Sequence, residues 1–148
     1  MAKFAENKKA YFNYEILEKI TAGIELFGFE VKSIRAGQAS LDGAHVIVRG
    51  GEAFLMNVNI TPLQPKNLKE FYDPRRNRRL LLNKKEISGL AKAEGRNGLT
   101  IVPLELYNTG NLIKVLVGVV RGKRKFDKRE SIKKRESDRD ISRTLKNE

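Results

Sequence analysis

Residues 99–120, LTIVPLELYNTGNLIKVLVGVV, carry the pattern that decides the fold. Two apolar runs, Leu99 to Tyr107 and Leu112 to Val120, flank Asn108-Thr109-Gly110-Asn111, whose residues are those that join antiparallel strands. Pro103 has no N–H to give to a ladder, so its strand is expected at a sheet edge or bulged there. Just upstream, Asn83 followed by Glu86 forms a capping-box pattern, with Ile87, Leu90 and Ala91 on one helical face and Gly95 beyond. This spacing predicts a helix over 84–94.

Further upstream lies a second hairpin. Ala44, Val46 and Val48 alternate with His45, Ile47 and Arg49, Gly50-Gly51 can supply the positive φ of a tight turn, and 52–61 is expected to run on as one strand before Pro62 and Pro65. From Phe12 the apolar residues again alternate: Phe12, Tyr14, Ile16, Ile20, Ala22, Ile24 and Leu26, interrupted by Leu17 and Glu18. Period two predicts a long half-buried strand. Phe27, Val31 and Ile34, spaced four and three apart, then predict a short helix stopped at Gly37. Residues 1–10 are polar and basic and read as a mobile arm. The fold class expected is β with α: a small OB-like antiparallel barrel, closed or partly open, over 11–120, with two to three short helices. Fold alone does not settle function.

The 148 residues suffice for one core, and the formal charge is +12. The excess lies in two segments: residues 66–92 hold nine basic and three acidic residues, residues 121–148 twelve and six, and the remainder nine of each. Two electropositive surfaces on a neutral body point to a polyanion, nucleic acid before membrane, because no apolar run approaches the ~20 residues of a spanning helix. The first ten residues lack the apolar core of a signal peptide. With no cysteine there is no disulfide framework or thiolate metal site, which fits a reducing cytoplasm.

Within the first segment, residues 73–83, DPRRNRRLLLN, place Arg75, Arg76, Arg78 and Arg79 ahead of three leucines. A charged loop on an apolar foot is expected, costly to hold together unless anions neutralise it. Beyond Arg121 only Phe126, Ile132, Ile141 and Leu145 are apolar, and Ile132 and Ile141 fall half a turn out of phase on a helix, so a free tail over 121–148 cannot bury a face and is expected to be disordered. Wound as a helix it would align Arg121, Arg124, Lys128, Arg135, Arg139, Arg143 and Lys146 along one stripe roughly 100° wide. Folding against RNA phosphates and serving as a basic solubilising tail both fit that pattern.

His45, the sole histidine, has no neighbouring Cys or Ser in the sequence, and no Walker loop, dinucleotide fingerprint, HExxH or carboxylate–histidine cluster is present. No catalytic residue, metal site or cofactor is expected. Asp42, Glu52 and Glu105 could meet in a barrel, and Tyr11, Phe12, Phe71, Tyr72, Tyr107 and Phe126 could stack on unpaired bases. A ribosomal protein or general OB-type translation factor would share this charge and barrel, whereas a small nuclease would need an acidic cluster or metal.

Several stretches together resemble the SsrA-binding protein (small protein B, SmpB) family over almost the whole chain: 7–10, NKKA; 22–37, AGIELFGFEVKSIRAG; 51–62, GEAFLMNVNITP; 73–87, DPRRNRRLLLNKKEI; 102–107, VPLELY; and 122–129, GKRKFDKR. The resemblance implies a cytoplasmic, monomeric RNA-binding partner of transfer-messenger RNA in trans-translation. An OB-like barrel would hold the tRNA-like domain, with elongation factor Tu acting on the alanyl-RNA. The tail would become helical in the empty messenger channel of the ribosome's small subunit. By the same resemblance the RNA-contacting positions are Asn7, with Lys8 beside it, Leu81 and Asn83, plus Arg76, Arg78 and Arg79. Thr21 stands where the family usually has an acid. Gly122, Lys123, Arg124, Phe126, Asp127, Lys128 and Arg129 match the tail motif for the decoding centre, and Leu145 belongs to a further similar stretch.

Overall fold

The computed structural model describes residues 2–63 and 72–122. Its centre is the 99–120 hairpin: β8 (Leu99–Thr109) and β9 (Leu112–Gly122) pair from Leu99↔Arg121 to Thr109↔Leu112, with Gly110 in the turn at φ 59°. Ile113, Val115, Val117 and Val119 of β9 are buried in the main core. On the other face Val120 joins Val102 and Leu104 in a smaller cluster covered by Ala10. Burial on both faces is why β9 reads as a nearly continuous apolar run. Gly118 is required there, because a Cβ would meet Leu104 Cδ1 at 2.8 Å. Pro103 sits at a bulge between Pro103 and Glu105, and its strand is internal, so the bulge and not an edge accommodates the missing N–H.

The remaining elements are β1 (Lys3–Glu6), α1 (Lys8–Asn13), β2 (Tyr14–Ile24), α2 (Gly28–Arg35), β3 (Ala39–Ser40), β4 (His45–Arg49), β5 (Glu52–Met56), β6 (Asn59–Ile60), β7 (Arg78–Leu81) and α3 (Lys84–Glu94). Seven strands form one antiparallel sheet in the order β1-β8-β9-β2-β7-β5-β4, and β3 pairs with β6 in a two-stranded ribbon. The large sheet curls so that β4 approaches β8, but no ladder joins its two ends. The architecture is the partly open form of the expected OB-like barrel. Ile34 of α2 and Leu90 of α3 are fully buried in its core.

Four expectations need correction. Of the expected arm over 1–10, residues 2–10 are not free: β1 lies along β8, and Asn7 starts α1, accepting from Ala10 N–H at 3.1 Å while its Nδ2 donates to the Pro103 carbonyl at 2.9 Å. The bulge frees a buried carbonyl, and Asn7 satisfies it. Phe12 belongs to α1, so the long strand begins at Tyr14, and the Leu17-Glu18 interruption is a register shift between Ile16 and Glu18 that leaves Leu17 exposed. The expected strand over 52–61 breaks at Asn57, which takes φ 66° and separates β5 from β6. Finally, Arg121 and Gly122 belong to β9 and pair with Glu15 and Tyr14, so the sheet extends beyond the expected 11–120 boundary at both ends.

Candidate nucleic-acid interface

The arginine loop is partly neutralised from inside. Asp73 opens it as a turn, its Oδ1 accepting from Arg75 N–H at 2.9 Å and its carbonyl from Arg76 N–H at 3.1 Å. Along β7 the side chains alternate, Arg78 and Leu80 inward, Arg79 and Leu81 outward. Arg78 is fully buried and saturated: Nε and Nη2 donate to Glu30 Oε2 at 2.9 and 2.6 Å, Nη1 to the Val58 and Arg76 carbonyls at 2.8 and 3.1 Å, and Nη2 also to the Pro74 carbonyl at 2.9 Å. Arg76 pairs with the same Glu30 carboxylate. The anion that the cluster needs is therefore a buried side chain of α2. Arg78, expected at the RNA surface, is instead a core residue.

Burial opposes ionisation of Glu30, but the hydrogen bonds from Arg76, the Phe27 N–H and Arg78 outweigh it and hold its carboxyl below the usual range. The Tyr72 hydroxyl lies 2.9 Å from Glu30 Oε2 and 3.1 Å from the Ile60 carbonyl, with one proton to give between them, and 3.1 Å from Arg78 Nη2, whose two protons it shares with Glu30 and the Pro74 carbonyl. Burial, then the bond to Glu30 and its charge, push that hydroxyl up to about 12. This network ties α2, β6 and β7 together and fixes the loop's shape.

The outward side of the same strands is a different surface. Strand register aligns Tyr107, Lys114, Gly23 and Leu81 in one row across β8, β9, β2 and β7. The next row holds Glu105, Leu116 and Thr21. The Tyr107 and Thr21 hydroxyls are 3.1 Å apart, spanning the two rows. Leu81 is 48% exposed and leans over Gly23, where an added Cβ would lie 3.1 Å from Leu81 Cβ. Asn83, two residues on, is exposed and caps α3 in the predicted capping box, accepting from Glu86 N–H at 2.8 Å while Glu86 returns the bond to Asn83 N–H at 3.1 Å. Arg79, half exposed, spans Glu25 at 3.1 Å and Glu52 at 3.3 Å. Arg75 bonds Asn57 Oδ1 at 2.9 Å and has no carboxylate partner among the described residues.

The structure thus brings Thr21, Leu81, Asn83 and Arg79 to one strip and adds Gly23, Tyr107 and Lys114 to it. It does not bring Asn7, buried under the start of α1, or the exposed Lys8; they follow β1, four strands from β7, roughly 19 Å at 4.8 Å per strand. Lys114 had a signal in the sequence, as the one charge inside the apolar run of β9. Beside the strip, Lys3, Glu105, Tyr107 and Leu116 line a shallow groove of ≈320 Å³. The acids that could have met do not: Asp42 pairs with Lys9, Glu52 with Arg79, and Glu105 with Lys3. No group of His, Cys, Asp and Glu among the described residues could hold a metal, and no helix among them is long and apolar enough to cross a membrane. Of the tail positions only Gly122 is described, at the exposed end of β9; Lys123, Arg124, Phe126, Asp127, Lys128, Arg129 and Leu145 lie outside the described residues.

Residues 4–147 match the family model of the SmpB protein. The chain belongs to the SmpB family. Among its SmpB-family relatives, the SsrA-binding protein of Leuconostoc mesenteroides is 50% identical over 144 residues, covering 97% of this chain and 92% of that one. The SsrA-binding protein of Microcystis aeruginosa is 47% identical over 141 residues, covering 95% and 92%. A chain solved in a study of tmRNA-SmpB at the center of the bacterial ribosome is 44% identical, with a TM-score of 0.67 and coverage of 86% of this chain and 92% of that one. The SmpB fold therefore extends to this partly open sheet with its three helices.

Proposed function

We propose that this SmpB-family protein grips the tRNA-like domain of transfer-messenger RNA through the strip of Thr21, Gly23, Leu81, Asn83, Tyr107, Lys114 and Arg79. It binds transfer-messenger RNA and serves trans-translation, bringing that RNA to stalled ribosomes. The observation that carries the interface is the cross-sheet row of Tyr107, Lys114, Gly23 and Leu81. An exposed leucine seated on a glycine offers a flat apolar contact for a base or sugar. The cations beside it position phosphates, and the hydroxyls and the Asn83 amide can bond base edges or the 2′-OH. Asn7 acts on this surface indirectly, by holding α1 against the Pro103 bulge. The protein works by binding and not by catalysis, in the cytoplasm, as a monomer, on an alanyl-RNA that elongation factor Tu carries. Its segment after Gly122 enters the vacant messenger channel of the small subunit, where Lys123, Arg124, Phe126, Asp127, Lys128, Arg129 and Leu145 meet the decoding centre and its rRNA.

The test is a gel-shift titration of the full chain against the tRNA-like domain, with excess bulk tRNA and varied salt. Binding that resists the competitor is expected, and Arg79→Ala should lower the salt slope by about one phosphate. Binding erased by bulk tRNA would return the protein to general basic RNA-binding factors.

A further inference from the structure

Phe27 is an exposed apolar ring at the start of α2. It occupies the position before α2, where a side-chain oxygen usually caps the helix, and contributes no such bond. It is 51% exposed. Its backbone is extended, at φ −74° and ψ 155°. The two-residue alternation of β2 continues through it: Ile24 and Leu26 pack on the core, while Glu25 and Phe27 are exposed. Phe27 therefore follows Gly23 and Glu25 along the outward side, about 13 Å of extended chain beyond Gly23.

The ring is supported and charged. Phe29 stacks on it with centroids 5.7 Å apart and planes at 29°, and Tyr72 meets Phe29 edge-on at 4.7 Å. The Arg76 guanidinium carbon lies 4.1 Å from the Phe27 centroid. Glu30 anchors Arg76 in that pose, and because Arg76 and Arg78 share this one carboxylate, the cluster keeps one positive charge. Aromatic rings and guanidinium planes are the surfaces on which unpaired bases stack, and a residual cation beside them favours the attached phosphate.

We propose that Phe27 and Arg76 form a stacking site for an unpaired nucleobase of the bound RNA, extending the contact beyond Leu81. This rests on the reading of the outward strip as the RNA surface. The test compares the full chain with Phe27→Leu, Phe27→Tyr and Leu81→Ala in titrations against the tRNA-like domain at several salt concentrations. Phe27→Leu should weaken binding about five- to 150-fold with an unchanged salt slope, and Phe27→Tyr should restore it. If Phe27→Leu binds as the parent does while Leu81→Ala is weakened, the stacking site is refuted and the strip stands. If neither variant is weakened, both fall. Should Phe27→Leu show no cooperative melt, a photoreactive benzoylphenylalanine at position 27 reads the contact directly: a crosslink to the RNA supports the site, and none overturns it.

Discussion

Replacing Glu30 by Gln should destabilise this protein more than any single surface change. Glu30 is fully buried and is the only acid among the described residues that pairs with Arg76 and Arg78, of which Arg78 is itself fully buried. Removing one partner of a buried pair leaves an uncompensated charge, at about 3–5 kcal/mol. Against a total stability of about 5–15 kcal/mol, that is a large share. At this chain length ~1 kcal/mol moves Tm by about 2–4 °C, so thermal melts at neutral pH should show a drop of roughly 6–20 °C. Glu25→Gln, which touches only the half-exposed Arg79, should cost no more than about 1 kcal/mol. pH supplies a second readout. The folded Glu30 has a lowered pKa, so the unfolded chain, with a carboxyl near ~4.3, takes up this proton first as pH falls. The contribution is complete above about pH 4.3 and disappears as pH drops through the lowered folded value, and Glu30→Gln should lack that part of the acid sensitivity. A Glu30→Gln melt indistinguishable from that of Glu25→Gln would refute this account of the loop.

Asn7→Ala removes both a helix cap and the donor to the Pro103 carbonyl, and should cost about 2–3 kcal/mol in urea unfolding. Gly118→Ala would press on Leu104 from 2.8 Å and should cost about 1–3 kcal/mol, part of it recovered by Leu104→Val, again read by urea unfolding. Truncation after Gly122 should leave affinity for the isolated tRNA-like domain close to that of the full chain while abolishing tagging of stalled products in a reconstituted translation assay.

Complete local signals in the sequence mark their elements. The Asn83–Glu86 box and the apolar face behind it predict α3 as Lys84–Glu94, which is where it lies, and Pro103 marks a bulge. Period-two alternation was misleading at Phe12, because a capped helix with that ring on it meets the strand without a break in pattern. The loop's buried counter-ion has no local signal: Glu30 stands 46 residues from Arg76 and 48 from Arg78, and no spacing rule links them. In the same way, Leu81, Thr21 and Asn83 stand out in the sequence only through family likeness. Lys114 and Tyr107 join them only through strand register, since the run around Lys114 reads first as core.

The central claim is that the outward strip, not the buried Glu30–Arg78 pair, meets RNA, and an NMR titration of the isotope-labelled full chain with the tRNA-like domain tests it most directly. Amide shifts should concentrate at Thr21, Gly23, Arg79, Leu81, Asn83, Tyr107 and Lys114, with Glu30 and the Arg78 side chain little changed. Shifts clustered on β4 and α3, with the strip silent, would contradict the account.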